Sequence, residues 1–131
     1  MPEVKTYEAP ELLGELLLFE ISPDYCRDSL SIKAPSAALA MGTVLMVNAD
    51  GTLSPWAAAA EPEDDAPATA DPAAAGVLLA DVAVSSSNVE APVLRRGAIV
   101  SAAALKWPAS LAEAKKKTAL ATLESLGVVA R

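Results

Sequence analysis

Alanine supplies 29 of the 131 residues, against two Trp, two Tyr and one Phe. The 53% apolar content therefore overstates what the chain can bury. Apolar burial contributes roughly 25 cal/mol per Å², and an alanine methyl offers little area. A core built from such side chains is thin for its length, which favours one compact domain with an arm or a long loop. It also makes association with further copies a natural source of stability.

The same composition removes most catalytic chemistry. The chain has no histidine, so Ser-His-Asp and Cys-His nucleophile systems and the usual zinc sites are excluded. The six glycines stand singly, and none forms a phosphate-cradling loop. The acids Glu61, Glu63, Asp64, Asp65 and Asp71 are interleaved with Pro62, Pro67 and Pro72, without the glycine of a calcium loop. Asn48-Ala49-Asp50-Gly51 resembles the middle of such a loop, but Ala57 stands where its bidentate carboxylate belongs. No metal and no cofactor is expected. Carboxylate-based hydrolysis needs a buried or pKa-shifted acid, and nothing in the sequence around these acids provides one. The expectation is a protein that is not an enzyme.

The formal net charge of −7 disfavours a nucleic-acid partner. The basic clusters Lys115-Lys116-Lys117 and Arg95-Arg96 are explained by a solvated helix face and a strand end. No stretch approaches the ~20 apolar residues that cross a bilayer, so no membrane partner is expected. The start Met1-Pro2-Glu3-Val4-Lys5 lacks the basic and apolar regions of a signal peptide. With Cys26 as the lone cysteine, no internal disulfide can form. Synthesis and folding in the cytoplasm are expected.

Residues 1–29, punctuated by Pro2, Pro10 and Pro23, read as an N-terminal arm. It holds the densest run of large apolar side chains, from Leu12 to Ile21, which fits either a short helix or a strand over Leu16 to Ile21. Such a run packs on its own domain or docks on a partner; in docking, each leucine buried contributes roughly 1.5–3 kcal/mol. Residues 30–131 read as the body. Thr43 to Val47 forms a strand, Asn48-Ala49-Asp50-Gly51 a hairpin turn, and Thr52 to Trp56 the return, with Pro55 near its end. Residues 57–75 form an exposed Ala/Pro/acidic loop. Gly76 to Val84 is predicted as a largely buried strand, Ser85 to Asn88 as a turn, Val89 to Arg95 and Gly97 to Val100 as further strands. Ser110 and Glu113 have capping-box spacing for a helix to about Leu126, with Ala119, Leu120, Leu123 and Leu126 on one face. Gly127 stops it, and Val128-Val129 adds a last short strand. The fold class is mainly β, barrel- or β-clip-like, with one C-terminal helix.

Four pieces then resemble, in order, the lambda-type phage head decoration protein D family. They are Leu30-Ser31-Ile32-Lys33-Ala34-Pro35; Leu53 to Trp56; Ala74-Ala75-Gly76-Val77-Leu78; and Leu105-Lys106-Trp107-Pro108 followed by Lys115-Lys116-Lys117-Thr118-Ala119. The resemblance covers roughly residues 30–131. The loop at 57–75 is longer than in that family, and residues 1–29 do not match it in sequence. It implies a homotrimer on the outer surface of the expanded virion head, clamping the major capsid protein against internal DNA pressure. It further implies an arm that adds a strand to a shell subunit, with three arms acting together.

On this reading the capsid-binding residues are Leu12, Leu13, Leu16, Leu17, Leu18, Phe19 and Ile21 of the arm and Lys33, Ala34 and Pro35 of its junction. Trp56, Trp107 and Pro108 serve core or trimer packing. Deletion of residues 2–29 should leave the body folded. A rival reading is an adhesin-like, receptor-binding virion module that works through the 57–75 loop.

Overall fold

The structure, a computed structural model, describes residues 13–59 and 70–131. Five short strands close into a barrel: β2 (Arg27–Ile32), β3 (Val44–Val47), β4 (Leu53–Pro55), β5 (Ala74–Leu78) and β6 (Val89–Leu94), in the order β2-β4-β3-β5-β6. The longest pairing is antiparallel, β2 with β6, from Arg27 opposite Leu94 to Ile32 opposite Val89. The barrel closes through a parallel contact of β2 with β4, Ile32 opposite Leu53, continued by the Lys33 N–H donating to the Leu53 carbonyl at 2.9 Å. Ile32, Leu45, Leu53, Leu78 and Val93 fill the interior and are essentially solvent-free.

The β3–β4 hairpin forms where the turn residues predict. Gly51 adopts φ +88°, and Asp50 Oδ1 accepts both the Thr52 N–H and its hydroxyl. Side-chain bonds of this kind favour turn over strand at Asx positions.

A second layer lies against the barrel. β1 (Leu17–Glu20), β7 (Ala98–Val100) and β8 (Val128–Ala130) form a three-stranded sheet in the order β1-β7-β8. Helix α3 (Glu113–Leu126) packs on β5 and β8. All five residues of β5 are buried, because the strand lies between the two layers. Small residues permit close packing here: Ala74 and Ala119 are buried in the larger core, and at Gly76 an added Cβ would lie 2.6 Å from the Leu94 carbonyl oxygen of β6. The Ala74 N–H also donates to Thr122 Oγ1 at 2.8 Å, tying strand to helix. The larger core comprises Leu16, Cys26, Trp56, Leu94, Val100, Leu123 and Val128 among others.

The fold class read from the sequence holds: a mainly β body with a five-stranded barrel and one C-terminal helix. Local readings need four corrections. The apolar run is both helix and strand: a single turn, α1 (Leu13–Leu16), leads into β1. The strand expected at 76–84 runs from Ala74 to Leu78. Beyond it Val82 makes only a bridge to Leu39, and Asp81 Oδ1 accepts the Met41 N–H at 2.8 Å, turning the chain away. Helix α3 starts at Glu113 with Ala112 at its N-cap and no side-chain cap bond, since Ser110 sits at φ 61° and cannot cap it. The exposed loop is shorter than 57–75, because Ala74 and Ala75 belong to β5; residues 60–69 lie outside the described residues.

The segment read as an arm divides in two. Residues 1–12 lie outside the described residues. From Leu13 to Ser29 the chain is part of the packed body: Leu16 and Cys26 are fully buried, β1 pairs with β7, and β2 begins at Arg27. A second single turn, α2 (Pro23–Cys26), joins β1 to β2. Deleting residues 2–29 would thus remove core and sheet together.

Candidate functional site

β1 is the rim strand of its sheet. Among the described residues it pairs only with β7, antiparallel, with Leu17 opposite Val100 and Glu20 opposite Ala98. Among the described residues no strand lies along its outer edge, where a further strand could pair with backbone N–H and C=O groups. A register shift lies between Leu17 and Phe19. In a regular strand successive side chains face opposite ways; here the irregularity leaves both Leu18 (54% exposed) and Phe19 (57%) in solvent. Ile21 (66%) and Tyr25 (56%), carried by the next turn, extend the apolar surface.

Gly97 supports this surface from beneath. It has φ +67°, and a Cβ added there would lie 3.1 Å from Ile21 Cδ1, 3.3 Å from Cys26 Sγ and 3.4 Å from Tyr25 Cε1. The Ile21 N–H donates to the Gly97 carbonyl at 3.0 Å, and the Cys26 thiol donates to the same oxygen at 3.4 Å. Cys26 is therefore an interior donor rather than an exposed thiol.

Two ion pairs border the patch. Arg27 grips Glu20 with two parallel bonds, one of them Nε to Oε2 at 3.0 Å, a geometry specific to the guanidinium fork. Arg96 donates to Asp28 Oδ2 at 2.8 Å and to the Tyr25 carbonyl at 2.6 Å, and its guanidinium lies 5.6 Å from the Tyr25 ring centre. The hydrogen bond from Arg96 holds the Asp28 carboxyl below the ordinary carboxylate range, and the bond to Glu20 raises Arg27. Apolar side chains at the centre and paired charges at the border are the anatomy of a protein-docking surface. Among the described residues no cluster of His, Cys, Asp or Glu could hold a metal ion, and no helix is long and apolar enough to cross a membrane.

The residues expected to bind a partner are not all together. Leu18, Phe19 and Ile21 form the patch. Leu13 and Leu17 are half-buried against the larger core, and Leu16 is wholly inside it. Leu12 lies outside the described residues. Lys33, Ala34 and Pro35 follow the far end of β2, about 20 Å along the strand from Arg27 at 3.3 Å per residue. There Lys33 is exposed and Pro35 buried, and the Ala34 N–H donates to Asn88 Oδ1 at 3.0 Å. With Leu39, Ser54 and Pro55 these three line a separate groove of about 340 Å³. Trp56 is fully buried and donates Nε1–H to the Pro72 carbonyl at 2.7 Å, a core role. Trp107 is half-buried and Pro108 exposed. Sequence reasoning missed Tyr25; its signal was Ser22-Pro23-Asp24, a helix-start pattern with Pro at the first helical position that halts the strand and lifts the tyrosine outward.

The family described as bacteriophage lambda head decoration protein D matches residues 6–128 of the chain. No curated protein matches it.

Proposed function

The chain belongs to the bacteriophage lambda head decoration protein D family, and from that premise we propose that it docks through the β1 surface onto the major capsid protein on the outside of the head. A capsid decoration role in the virion follows from the family itself, which is one of structural proteins and not of enzymes. The finer reading is a homotrimer, made in the host cytoplasm, that stabilises the shell against packaged DNA. The observation that carries the docking site is the pairing of an open strand edge with Leu18, Phe19, Ile21 and Tyr25 in solvent.

The physics is that of strand addition. A shell strand laid along β1 gains backbone hydrogen bonds, while the apolar side chains supply burial worth roughly 1.5–3 kcal/mol each. Ordering and lost rigid-body freedom offset much of that, so one copy holds weakly. Three copies joined in a closed ring make the second and third engagements intramolecular. The thin alanine-rich core supports the same reading, since trimer formation adds the burial that one chain lacks.

The test is light scattering of the purified protein followed by co-sedimentation with expanded empty heads. Trimers that pellet with heads support the proposal, and protein that stays monomeric and in the supernatant rejects it. Shortening the chain between Ala59 and Ala70 should leave decoration intact; lost binding would favour the adhesin-like reading instead.

A further inference from the structure

Three arginines gather where β2 and β6 meet the α2 turn, and two of them are engaged. Arg27 holds Glu20, and Arg96 holds Asp28 and the Tyr25 carbonyl. Arg95 is different. Among the described residues its guanidinium has no ion pair and no hydrogen bond. Its Nε is shielded from solvent and without a partner, the one buried side-chain nitrogen or oxygen among the described residues of which that is true. A buried donor left unbonded is costly, and more so on a charged group.

The rest of the residue is fixed. Arg95 comes opposite Gly76, one step beyond the pair Val77 and Leu94. A Cβ on Gly76 would lie 3.3 Å from Arg95 Cδ, so the side chain crosses space that the glycine leaves. The Arg95 N–H donates to the Cys26 carbonyl at 2.8 Å. Asp28 does not engage the guanidinium. Its carboxyl is bonded to Arg96, which is the main cause of its lowered pKa, and Arg95 acts on it only through space. Arg95 on Cys26 and Arg96 on Tyr25 also stitch this pair to the turn that carries Tyr25 of the docking surface. A guanidinium with unbonded donors on a held stem selects a planar anion that accepts two parallel bonds, and among protein groups that is a carboxylate.

We propose that Arg95 receives a carboxylate side chain of the shell protein beside the β1 surface, so that docking satisfies a donor the free protein leaves unbonded. This rests on the docking reading of β1 and adds the chemistry of the partner: an Asp or Glu flanking the segment that covers Leu18, Phe19, Ile21 and Tyr25.

The test uses full-length Arg95→Met, which keeps the stem and removes the donors. The free variant should melt at or above the wild-type temperature, because an unbonded buried donor is gone. Its affinity for expanded empty heads in co-sedimentation should fall about 30-fold or more, through faster release. Arg95→Lys, a charge without the fork, should fall between the two. Arg95→Glu should bind less than Arg95→Met, since like charges would then face each other. A free Arg95→Met that melts well below wild type would mean a partner within the chain, and one that binds heads like wild type would mean no partner in the shell. Arg95→Glu binding as well as Arg95→Met would mean that the facing group is no carboxylate. Each of these overturns the proposal. So does a changed oligomeric state of free Arg95→Met in light scattering, which would put the carboxylate on a neighbouring copy. Wild-type protein that ignores heads rejects the docking reading and this proposal with it, whereas wild type and Arg95→Met pelleting equally reject this proposal alone.

Discussion

Trp56 and Trp107 meet edge to face, with ring centres 6.1 Å apart and planes at 90°. The two rings have different standing. Trp56 is enclosed by the core and its indole N–H is bonded to the Pro72 carbonyl, whereas Trp107 caps it from a half-buried position. Trp56 thus also fixes the foot of the acidic loop.

Truncating the two rings should separate these roles. Trp56→Ala leaves a large cavity and an unbonded Pro72 carbonyl, and should destabilise by about 3–5 kcal/mol. Trp107→Ala forfeits the ring pair, about 0.5–1.5 kcal/mol, plus the burial of half a side chain. Urea unfolding of both variants checks the order; a Trp107 variant as damaged as the Trp56 variant would contradict it.

Gly42 should be the least replaceable glycine. It holds φ +98°, and a Cβ there would lie 2.5 Å from the Ala104 carbonyl oxygen, a backbone atom that cannot step aside. Gly42→Ala should cost at least ~1–3 kcal/mol from backbone strain alone. Gly14, with nothing within 4 Å of an added Cβ, is the matched control, and Gly14→Ala should be near neutral. Thermal melts of the pair measure the difference.

What could be read in the sequence was what local chemistry decides. The Asn48–Gly51 turn, the Gly127 helix stop at φ +96° and the last strand at Val128–Ala130 all follow from residues a few positions apart. What could not be read depends on distant partners. Leu16, Leu17, Leu18 and Phe19 are indistinguishable by hydropathy, yet one is core, one half-buried and two exposed, because Val100 and Ile99 of β7 set the register. Ser110 and Glu113 have capping spacing, but Ser110 lies in the left-handed region and the helix starts later. The ends of the 57–75 loop looked like uniform low complexity, whereas the Trp56, Asp71 and Thr122 bonds to them arise only in three dimensions.

The unused cap offers a stabilising change. Ala112 holds the N-cap position with φ −66° and ψ 145° and no side-chain bond to the first turn. Ala112→Asp would supply an acceptor for the orphan N–H groups and a charge favourable to the helix dipole. A gain of about 0.5–2 kcal/mol is expected in denaturant unfolding. An unchanged midpoint would mean that the first turn is already satisfied by other means.

Asp71 ties the loop foot to the helix. Its carboxylate accepts from Lys115 Nζ at 2.8 Å and from the Ala59 N–H at 2.9 Å. The Lys115 bond, then the Ala59 bond, hold its pKa below the ordinary carboxylate value. A carboxyl depressed in the folded state adds stability above its unfolded pKa, and that stability is lost as pH falls through the folded value. Asp71→Asn should therefore lower the melting temperature near neutrality and flatten the acid side of the stability profile. Melts across the acidic range test both parts, and a parallel profile for the variant would show that other carboxyls set the slope.

The docking surface and the core can be told apart by residues that adjoin in sequence. Leu18, Phe19 and Ile21 are exposed, so Leu18→Glu, Phe19→Glu and Ile21→Glu together should shift stability little, each within about 0.5 kcal/mol as surface changes usually do. The same triple variant places three charges where a shell strand would have to bury them, and an unpaired buried charge is strongly unfavourable. It should remain folded and stop pelleting with expanded heads. Leu16→Ala is the counterpart: Leu16 is fully buried, its truncation should cost about 2–5 kcal/mol, and molecules that stay folded should still decorate. Heads coated normally by the triple variant would move the docking site away from β1, leaving its open edge without a role in attachment.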